Sequence, residues 1–409
     1  MKFYCLYDLI NSRRLELQQS ERDMYSFFHK RGFSKTKVDF FKENCSVESD
    51  PSFITAVSEY TGFSNLEVKL SLGFVPEEYK ETFYSKIHEI SGLLCREKSS
   101  GGIIREIEPV FSTELGSLYN ADCIDVLRNQ PANSFDLIFA DPPFNLSKQY
   151  DDGIQDDLSM SKYVSWCYEW MDECVRTLKP GGSLFIYNIP KWGTYYADFL
   201  NKRLTLRSWI GVNMKFSLPL AGRLYPAHYS LLYYIKGTKP AVYHNQRIPL
   251  DACRHCGGEL HDYGGYKSKM NPNGVNLSDI WSDIYPVRHK NTKNRAFNEL
   301  SVKMLDRIIS MTTNPGDLVF DPFGGSGTTY VVAEMLKRRW VGSELGNCTI
   351  IQERFDNIEK DIALLEQAHS EANRLFTDKT KALRKKNGFW LSEDFEDKKG
   401  DGYGTDEKT

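Results

Sequence analysis

Asp141 closes an apolar run and is followed by two prolines and an aromatic residue, so that Phe135 to Phe144 reads FDLIFADPPF. Proline fixes its own φ and pushes the preceding residue towards an extended backbone. The Asp141 carboxylate and the Pro142 carbonyl are thereby held side by side at the end of a strand. Two adjacent acceptors suit an exocyclic NH2 group, and the Phe144 ring offers a face to a planar base. A plain strand ending in a proline turn would use the same residues.

A second stretch, Leu318 to Tyr330, reads LVFDPFGGSGTTY. An apolar run ends in Asp321, a Gly-Gly-Ser-Gly turn follows, and a helical composition begins near Thr328. Glycines at 324, 325 and 327 let the backbone take positive φ and approach a ligand closely. The spacing is neither GxxxxGK[ST] nor GxGxxG, which argues against ATP and NAD. WVGSEL follows at 340–345 and ends its apolar run in Glu344. An acid at the end of the next strand of a doubly wound sheet binds a ribose diol. Loop and Glu344 together point to a nucleoside cofactor.

These groups need one sheet edge to bring them together. Tyr163 to Leu178 has a helical apolar pattern, KPGG at 179–182 stops it, and the strand SLFIY follows. Asp141 and Tyr187 then end successive crossover strands of a parallel sheet, and HYSLLYYI at 228–235 adds another. Leu300, Met304, Leu305, Ile308 and Ile309 form a helical apolar face that ends at Asn-Pro-Gly before the Leu318 strand.

The chain resembles the amino-methylating DNA methyltransferases that use S-adenosylmethionine. DPPF at 141–144 is similar to their catalytic (D/N/S)PP(Y/F) motif, and DPFGGSGTT at 321–329 to their cofactor loop. The catalytic motif comes first, with more than 170 residues between the two, which is the permuted order of the family's beta class. The resemblance spans roughly residues 115–360.

It implies an α/β, Rossmann-like fold with a mostly parallel seven-stranded sheet and an inserted target-recognition region. It makes Asp141, Pro142, Pro143 and Phe144 catalytic. Asp321, Phe323, Gly324, Gly325, Ser326, Gly327, Thr328 and Glu344 would bind the cofactor. Asp122 would approach the cofactor's adenine, or simply cap a helix. The loop 145–157 would close over a base flipped out of the duplex. An Asp at the head of the motif is the usual pattern of the adenine-N6 enzymes, with cytosine N4 as the alternative. Cytosine C5 chemistry needs a thiol in a Pro-Cys pair, and the sequence has none. RNA or protein-glutamine methyltransferases, and a non-catalytic DNA-binding module, are the other readings. Where relatives carry a His-Pro-x-x-Lys-Pro approach, this chain has Asn298 to Lys303, NELSVK.

The remaining expectations concern partners and organisation. Net charge is −3, yet residues 191–250 hold nine Lys/Arg against the single acid Asp198. Arg288, His289, Lys290, Lys293 and Arg295 form the densest basic cluster, just after Trp281 and Tyr285, and are the candidate contacts to double-stranded DNA. CRHCGG at 253–258 offers Cys253 and Cys256 as one knuckle of a zinc site, with His255 or His261 to complete it, or a plain turn with two thiols.

Six regions are expected: an N-terminal accessory domain at 1–110, a catalytic half at 111–235, the insertion at 236–297, a cofactor half at 298–350, one long amphipathic helix at 351–390 and a disordered tail at 391–409. Nine cysteines, an odd number and mostly scattered, fit reduced thiols. No window approaches eighteen apolar residues and the N-terminus lacks a secretion signal, so a cytoplasmic protein is expected, as monomer or homodimer, with a cognate restriction endonuclease as partner.

Overall fold

In the computed structural model the described residues are 5–44, 48, 50–86, 89–90, 107–146, 148–149, 155–214, 221–222, 224–260, 270–284, 287 and 299–394. The chain divides into two units, Met1–Glu106 with Pro143–Glu173, and Ile107–Pro142 with Cys174–Thr409. The first therefore also takes the segment after the Pro-Pro pair, which the sequence reading kept in the catalytic half.

The N-terminal part of the first unit, over residues 6–71, holds five helices, α1 (Leu6–Glu16), α2 (Glu21–His29), α3 (Lys35–Glu43), α4 (Pro51–Thr61) and α5 (Asn65–Ser71). Their starts are written in the sequence. Ser20 with Asp23, and Ser64 with Glu67, form reciprocal capping boxes, and Ser34 and Asp50 cap α3 and α4. Leu6, Ile10, Met24, Phe28, Phe41, Phe53 and Val57 meet in one apolar core.

The second unit is organised on nine strands. They are β1 (Phe111–Ser112), β2 (Gly116–Tyr119), β3 (Phe135–Ala140), β4 (Leu178–Asn188), β5 (Thr205–Asn213), β6 (His228–Ile235), β7 (Ile280–Trp281), β8 (Leu318–Asp321) and β9 (Arg339–Ser343). The order across the sheet is β1-β2-β9-β8-β3-β4-β6-β5-β7. Seven strands make the body, as the resemblance implies, and the two-residue β1 and β7 extend its edges. Pairings from β2 through β4 are parallel, and β6 runs against both its neighbours. KPGG does not form a turn ahead of its strand but belongs to β4, whose pairing with β3 slips between Phe135 and Leu137.

Consecutive strands β2 and β3 are not neighbours. The β8–α–β9 unit, from the far end of the chain, fills the gap between them. Val319 pairs with Leu137 and Phe320 with Ile138, and the Phe135 and Phe320 rings stack 4.8 Å apart. β3 is apolar and buried almost throughout, as a strand covered on both faces must be. Its one polar member, Asp136, accepts the Leu318 N–H of β8 at 2.9 Å and pairs with Lys179 of β4 at 2.7 Å.

The C-terminal region is a correction to the sequence reading. In place of one long helix there are three, Thr349–Asp356, Glu359–Glu371 and Asp378–Lys386. The second break has a physical cause: Asn373 turns left-handed at φ +53, and Leu375 and Phe376 are buried. The Asn373 and Leu375 N–H groups donate to the Arg247 and Pro272 carbonyls, while Leu250 N–H donates to Leu375, tying this end to the insertion. Of the expected tail, Leu391 to Asp394 close a turn, and residues 395–409 lie outside the described residues.

Asp136→Ala removes the acceptor of the Leu318 N–H and the partner of Lys179. Stability in denaturant titration should fall by about 1–3 kcal/mol. An unchanged unfolding midpoint would show that the β3–β8 join does not need this side chain.

Candidate active site

β8 ends in the fully buried Asp321, and the chain then turns through Gly324 to Gly327 into the helix Thr328–Met335. Gly325 and Gly327 are left-handed, at φ +54 and +76. A Cβ on Gly324 would stand 2.9 Å from the Tyr330 hydroxyl, and one on Gly327 would stand 2.8 Å from Ile351. The turn is thus shaped by absent side chains. Asp321 accepts from the Phe323 N–H at 2.9 Å and from the Thr329 hydroxyl, so it ties the two ends of the loop together. Burial, with the Glu344 charge adding to it, pushes the Asp321 carboxyl up to about 7.

Glu344 follows β9, directly beside this turn. Its carboxylate accepts the Gly325 N–H at 2.5 Å and the Gly346 N–H at 2.8 Å, one on each oxygen. A carboxylate has about four acceptor positions, so each oxygen keeps one for a further donor. Asn120, just past β2, donates from its amide to the Glu344 and Gly346 carbonyls at 2.8 and 2.9 Å. The sequence reading passed over Asn120. Two residues on, Asp122 caps the next helix, accepting the Ile124 N–H at 2.8 Å.

Two further supports of the loop were also missed. The Tyr330 hydroxyl sits beneath both strand ends and donates towards the Asp321 and Ser343 carbonyls at 2.9 and 3.1 Å. Arg354 is buried and donates to the Ser326 carbonyl at 3.0 Å, the Ser326 hydroxyl at 3.1 Å and the Thr328 hydroxyl at 2.7 Å. Its other side is paired with Asp361 at 2.7 Å, and Glu299 lies 3.5 Å away. Lys303, whose place the departure from the His-Pro-x-x-Lys-Pro pattern left open, pairs with Asp283 and Glu371. Asn298 lies outside the described residues.

One strand over, β3 delivers Asp141 and Pro142 to the same edge. One Asp141 carboxylate oxygen is shielded from solvent, and Pro142 is buried. The Pro142 carbonyl accepts the Asn188 amide at 3.3 Å, and Asn188 is itself held by its bond to the Tyr196 hydroxyl and by the Ile189 N–H. That leaves one lone pair of the carbonyl available. Tyr187 lies on the Asp141 side of β4, where burial and then the Asp141 charge raise its hydroxyl well above the usual phenol range. Its ring centroid is 4.9 Å from that of Tyr229.

Pro143 and Phe144 fall in the first unit. There the Tyr163 hydroxyl donates to the Pro143 carbonyl at 2.5 Å. The loop after Phe144 is closed at its base by Asn145, whose side chain exchanges two hydrogen bonds with the Leu158 backbone at 2.8 and 2.9 Å. Residues 148–149 pair with 155–156, and the tip lies outside the described residues.

The basic cluster Arg288, His289, Lys290, Lys293 and Arg295 also lies outside the described residues, as does Tyr285. Trp281 is buried under the Arg307 guanidinium, 4.8 Å from its ring, and is a core residue rather than a surface for bases. Part of the basic excess at 191–250 is used internally. Lys236 donates to the Val175 and Leu178 carbonyls at 2.8 Å each, Arg247 to Gly274, and Lys202 pairs with Asp198. Cys253 and Cys256 stand close together with Glu259, not with His255. His261 lies outside the described residues.

Residues 135–353 match the family described as DNA methylase, the N6/N4 group. The type II methyltransferase M.BamHI of Bacillus amyloliquefaciens is 51% identical over 409 residues, covering 99% of this chain and 96% of its own length. The chain belongs to the N6/N4 DNA methylase family. The DNA adenine methyltransferase YhdJ of Escherichia coli (strain K12) is 30% identical over 242 residues, 58% of this chain and 81% of that protein. Among solved structures, the PvuII DNA methyltransferase (cytosine-N4-specific) is 20% identical over 65% of this chain and 96% of its own, with a TM-score of 0.46. The methylase takes its methyl group from S-adenosylmethionine and acts on DNA. Among the described residues no helix is long and apolar enough to cross a membrane.

Two outcomes follow from the buried polar groups of this methylase. Native Asp321 keeps its proton to about pH 7, whereas in the unfolded chain it loses it near 4. The folded state binds more protons in that window, so this group's contribution to stability falls as pH rises from about 4 to about 7. Asp321→Asn should therefore lose less melting temperature than the unsubstituted chain between pH 5 and pH 8, and parallel pH profiles would contradict the assignment. Arg354→Met strips Asp361 of its buried partner and should cost about 3–5 kcal/mol in denaturant titration; a loss under about 1 kcal/mol would mean that the loop is held by other means.

Proposed function

We propose that the chain transfers a methyl group from S-adenosylmethionine to an exocyclic amino nitrogen of a base turned out of duplex DNA, at adenine N6. The observation that supports this most is the pairing of β8 with β3, which puts the Gly324–Gly327 turn and the Asp141–Pro142 acceptors on neighbouring strands at one edge. The Asp that heads the motif is what favours adenine. Cytosine N4 is the second reading, because a carboxylate beside a carbonyl accepts from any exocyclic NH2 and does not itself measure the ring that carries it.

The residues fit an adenosine-containing cofactor. The turn leaves no room for a Cβ at Gly324 or Gly327, Gly325 is left-handed, and the Glu344 oxygens each retain an acceptor position for a ribose diol. Bound there, S-adenosylmethionine supplies an electrophilic methyl on a sulfonium. Every other contribution comes from the chain. Asp141 and the Pro142 carbonyl accept the two amino hydrogens, which favours a pyramidal nitrogen and frees its lone pair from the ring. Asn188 keeps the Pro142 carbonyl aimed. The proton leaves during or after transfer, and Asp141 need not be a strong base, because a methylated ammonium is far more acidic than the amine. Positioning and fixed charge supply much of the rate. The family motif assigns Phe144 the ring on which the extruded base stacks.

Partners follow from the same reading. Lys290 and Lys293, with Arg288, His289 and Arg295, neutralise phosphates. The enzyme works in the cytoplasm, as monomer or homodimer, beside a restriction endonuclease that cuts the site it protects.

Asp141→Ala should lose methylation by at least about a hundredfold while keeping cofactor affinity, read by calorimetry beside a radiolabel assay; a fully active variant would remove Asp141 from the chemistry. Nucleoside mass spectrometry of methylated duplex should give N6-methyladenine, whereas N4-methylcytosine selects the second reading and a product on RNA or protein rejects both. Glu344→Ala should weaken cofactor binding about tenfold or more with DNA affinity unchanged, and normal cofactor affinity would refute its diol role. The Lys290→Ala, Lys293→Ala double variant should bind all duplexes more weakly and with a flatter salt dependence; an unaltered salt slope would exclude phosphate contact.

A further inference from the structure

The Cys253–Glu259 turn has no part in the chemistry above, yet it is built like a ligand-bearing knuckle. The Cys253 and Cys256 sulfurs and a Glu259 carboxylate oxygen all lie within 4.8 Å of one another. Two thiolates bound to one zinc at about 2.3 Å each stand about 3.8 Å apart in a tetrahedral site, so the cluster closes on an ion with little movement. Both cysteines are free and half-buried.

The backbone prepares the sulfurs as acceptors. Gly257 N–H donates to the Cys253 carbonyl at 2.8 Å and closes the turn, and Gly258 N–H points at the Cys256 sulfur at 3.3 Å. Gly257 is left-handed, and so is Glu259 at φ +57, a conformation disfavoured for a non-glycine residue. That strained backbone returns the Glu259 carboxylate to the two thiols.

The turn is also held from outside, independently of any ion. Arg384 of the Asp378–Lys386 helix donates to the Gly257 carbonyl at 2.5 Å, and Asn387 donates to the Cys256 carbonyl at 2.9 Å. The Phe389 ring lies so close that a Cβ on Gly258 would stand 2.6 Å from it. The Arg384 guanidinium packs against the Phe376 and Trp390 rings, at 4.5 and 4.6 Å. A divalent ion with two thiolates and one carboxylate carries a net charge of −1, and the Arg384 guanidinium beside the turn is the matching counter-charge.

We propose that Cys253, Cys256 and Glu259 bind one zinc ion, with water in the fourth position, and that the ion fixes this turn of the insertion between the two chemical motifs. Thiolate and carboxylate donors in a tetrahedral set select zinc over magnesium or calcium, which prefer six or more oxygens. Four cysteines, the usual set for an iron–sulfur cluster, are not assembled here among the described residues.

The test uses the full-length protein purified without chelator. Elemental analysis should find about one zinc per chain, and the Cys253→Ser, Cys256→Ser double variant should hold under a tenth of that. Exchange with Co(II) should give the thiolate charge-transfer band and the intense visible bands of a tetrahedral site. Glu259→Gln keeps both thiols and the fold, and should weaken zinc binding about tenfold or more in competition with a chromogenic chelator. That variant keeps the assignment testable if the double cysteine variant does not fold. An unsubstituted chain with no zinc and no Co(II) thiolate band would overturn the proposal, as would a Cys253–Cys256 disulfide in peptide mapping. Unchanged zinc affinity in Glu259→Gln would overturn the three-ligand set.

Discussion

The parallel pairing of Phe135–Ala140 with Leu318–Asp321 is the constraint on which the rest of the site depends. The two strands are far apart in the chain, and closing so long a loop has an entropic cost that local contacts do not offset. What offsets it is burial: both strands are apolar, covered on both faces, and their Phe135 and Phe320 rings stack. Because β8 and β9 sit between β2 and β3, the sheet is continuous only when the last third of the chain is in place. The motif order along the sequence is therefore immaterial to the chemistry. Only the order across the sheet matters.

On that edge the loops are positioned by buried polar groups rather than by the apolar core. Tyr330 bridges two strand ends, Arg354 holds Ser326 and Thr328, Asn120 fixes the turn after Glu344, and Asn188 aims the Pro142 carbonyl. Each of these groups is satisfied on several sides, which is the condition for a buried polar network to stiffen a site instead of weakening it. Asp321 pushed towards neutrality fits the same picture, since it joins the loop's two ends without adding a second full charge beside Glu344.

Much of this was legible in the sequence where the backbone itself is constrained. Pro142 and Pro143 announce a fixed extended segment, the glycines at 324–327 announce left-handed turns, and an apolar run ending in an acid announces a strand edge. The number of strands in the body of the sheet and its mostly parallel sense came instead from the family resemblance that those motifs carry. Asn120, Asn188 and Arg354 were not legible, because their partners are backbone groups or side chains brought near only by the fold. The three-helix C-terminus was misread for a related reason: Leu375 and Phe376 fit a helical period, and only docking on the insertion pulls them out of it. The capping boxes at Ser20 and Ser64, by contrast, were plain local signals that went unused.

The most direct test of this account is a crystal structure of the protein with a non-reactive analogue of S-adenosylmethionine and its duplex. The account predicts an extruded base whose amino nitrogen bonds the Asp141 carboxylate and the Pro142 carbonyl, about 3–3.5 Å from the position of the transferable methyl, with the adenosine over Gly324–Gly327. A cofactor seated away from that turn, or an amino group held by residues other than Asp141 and Pro142, would contradict it.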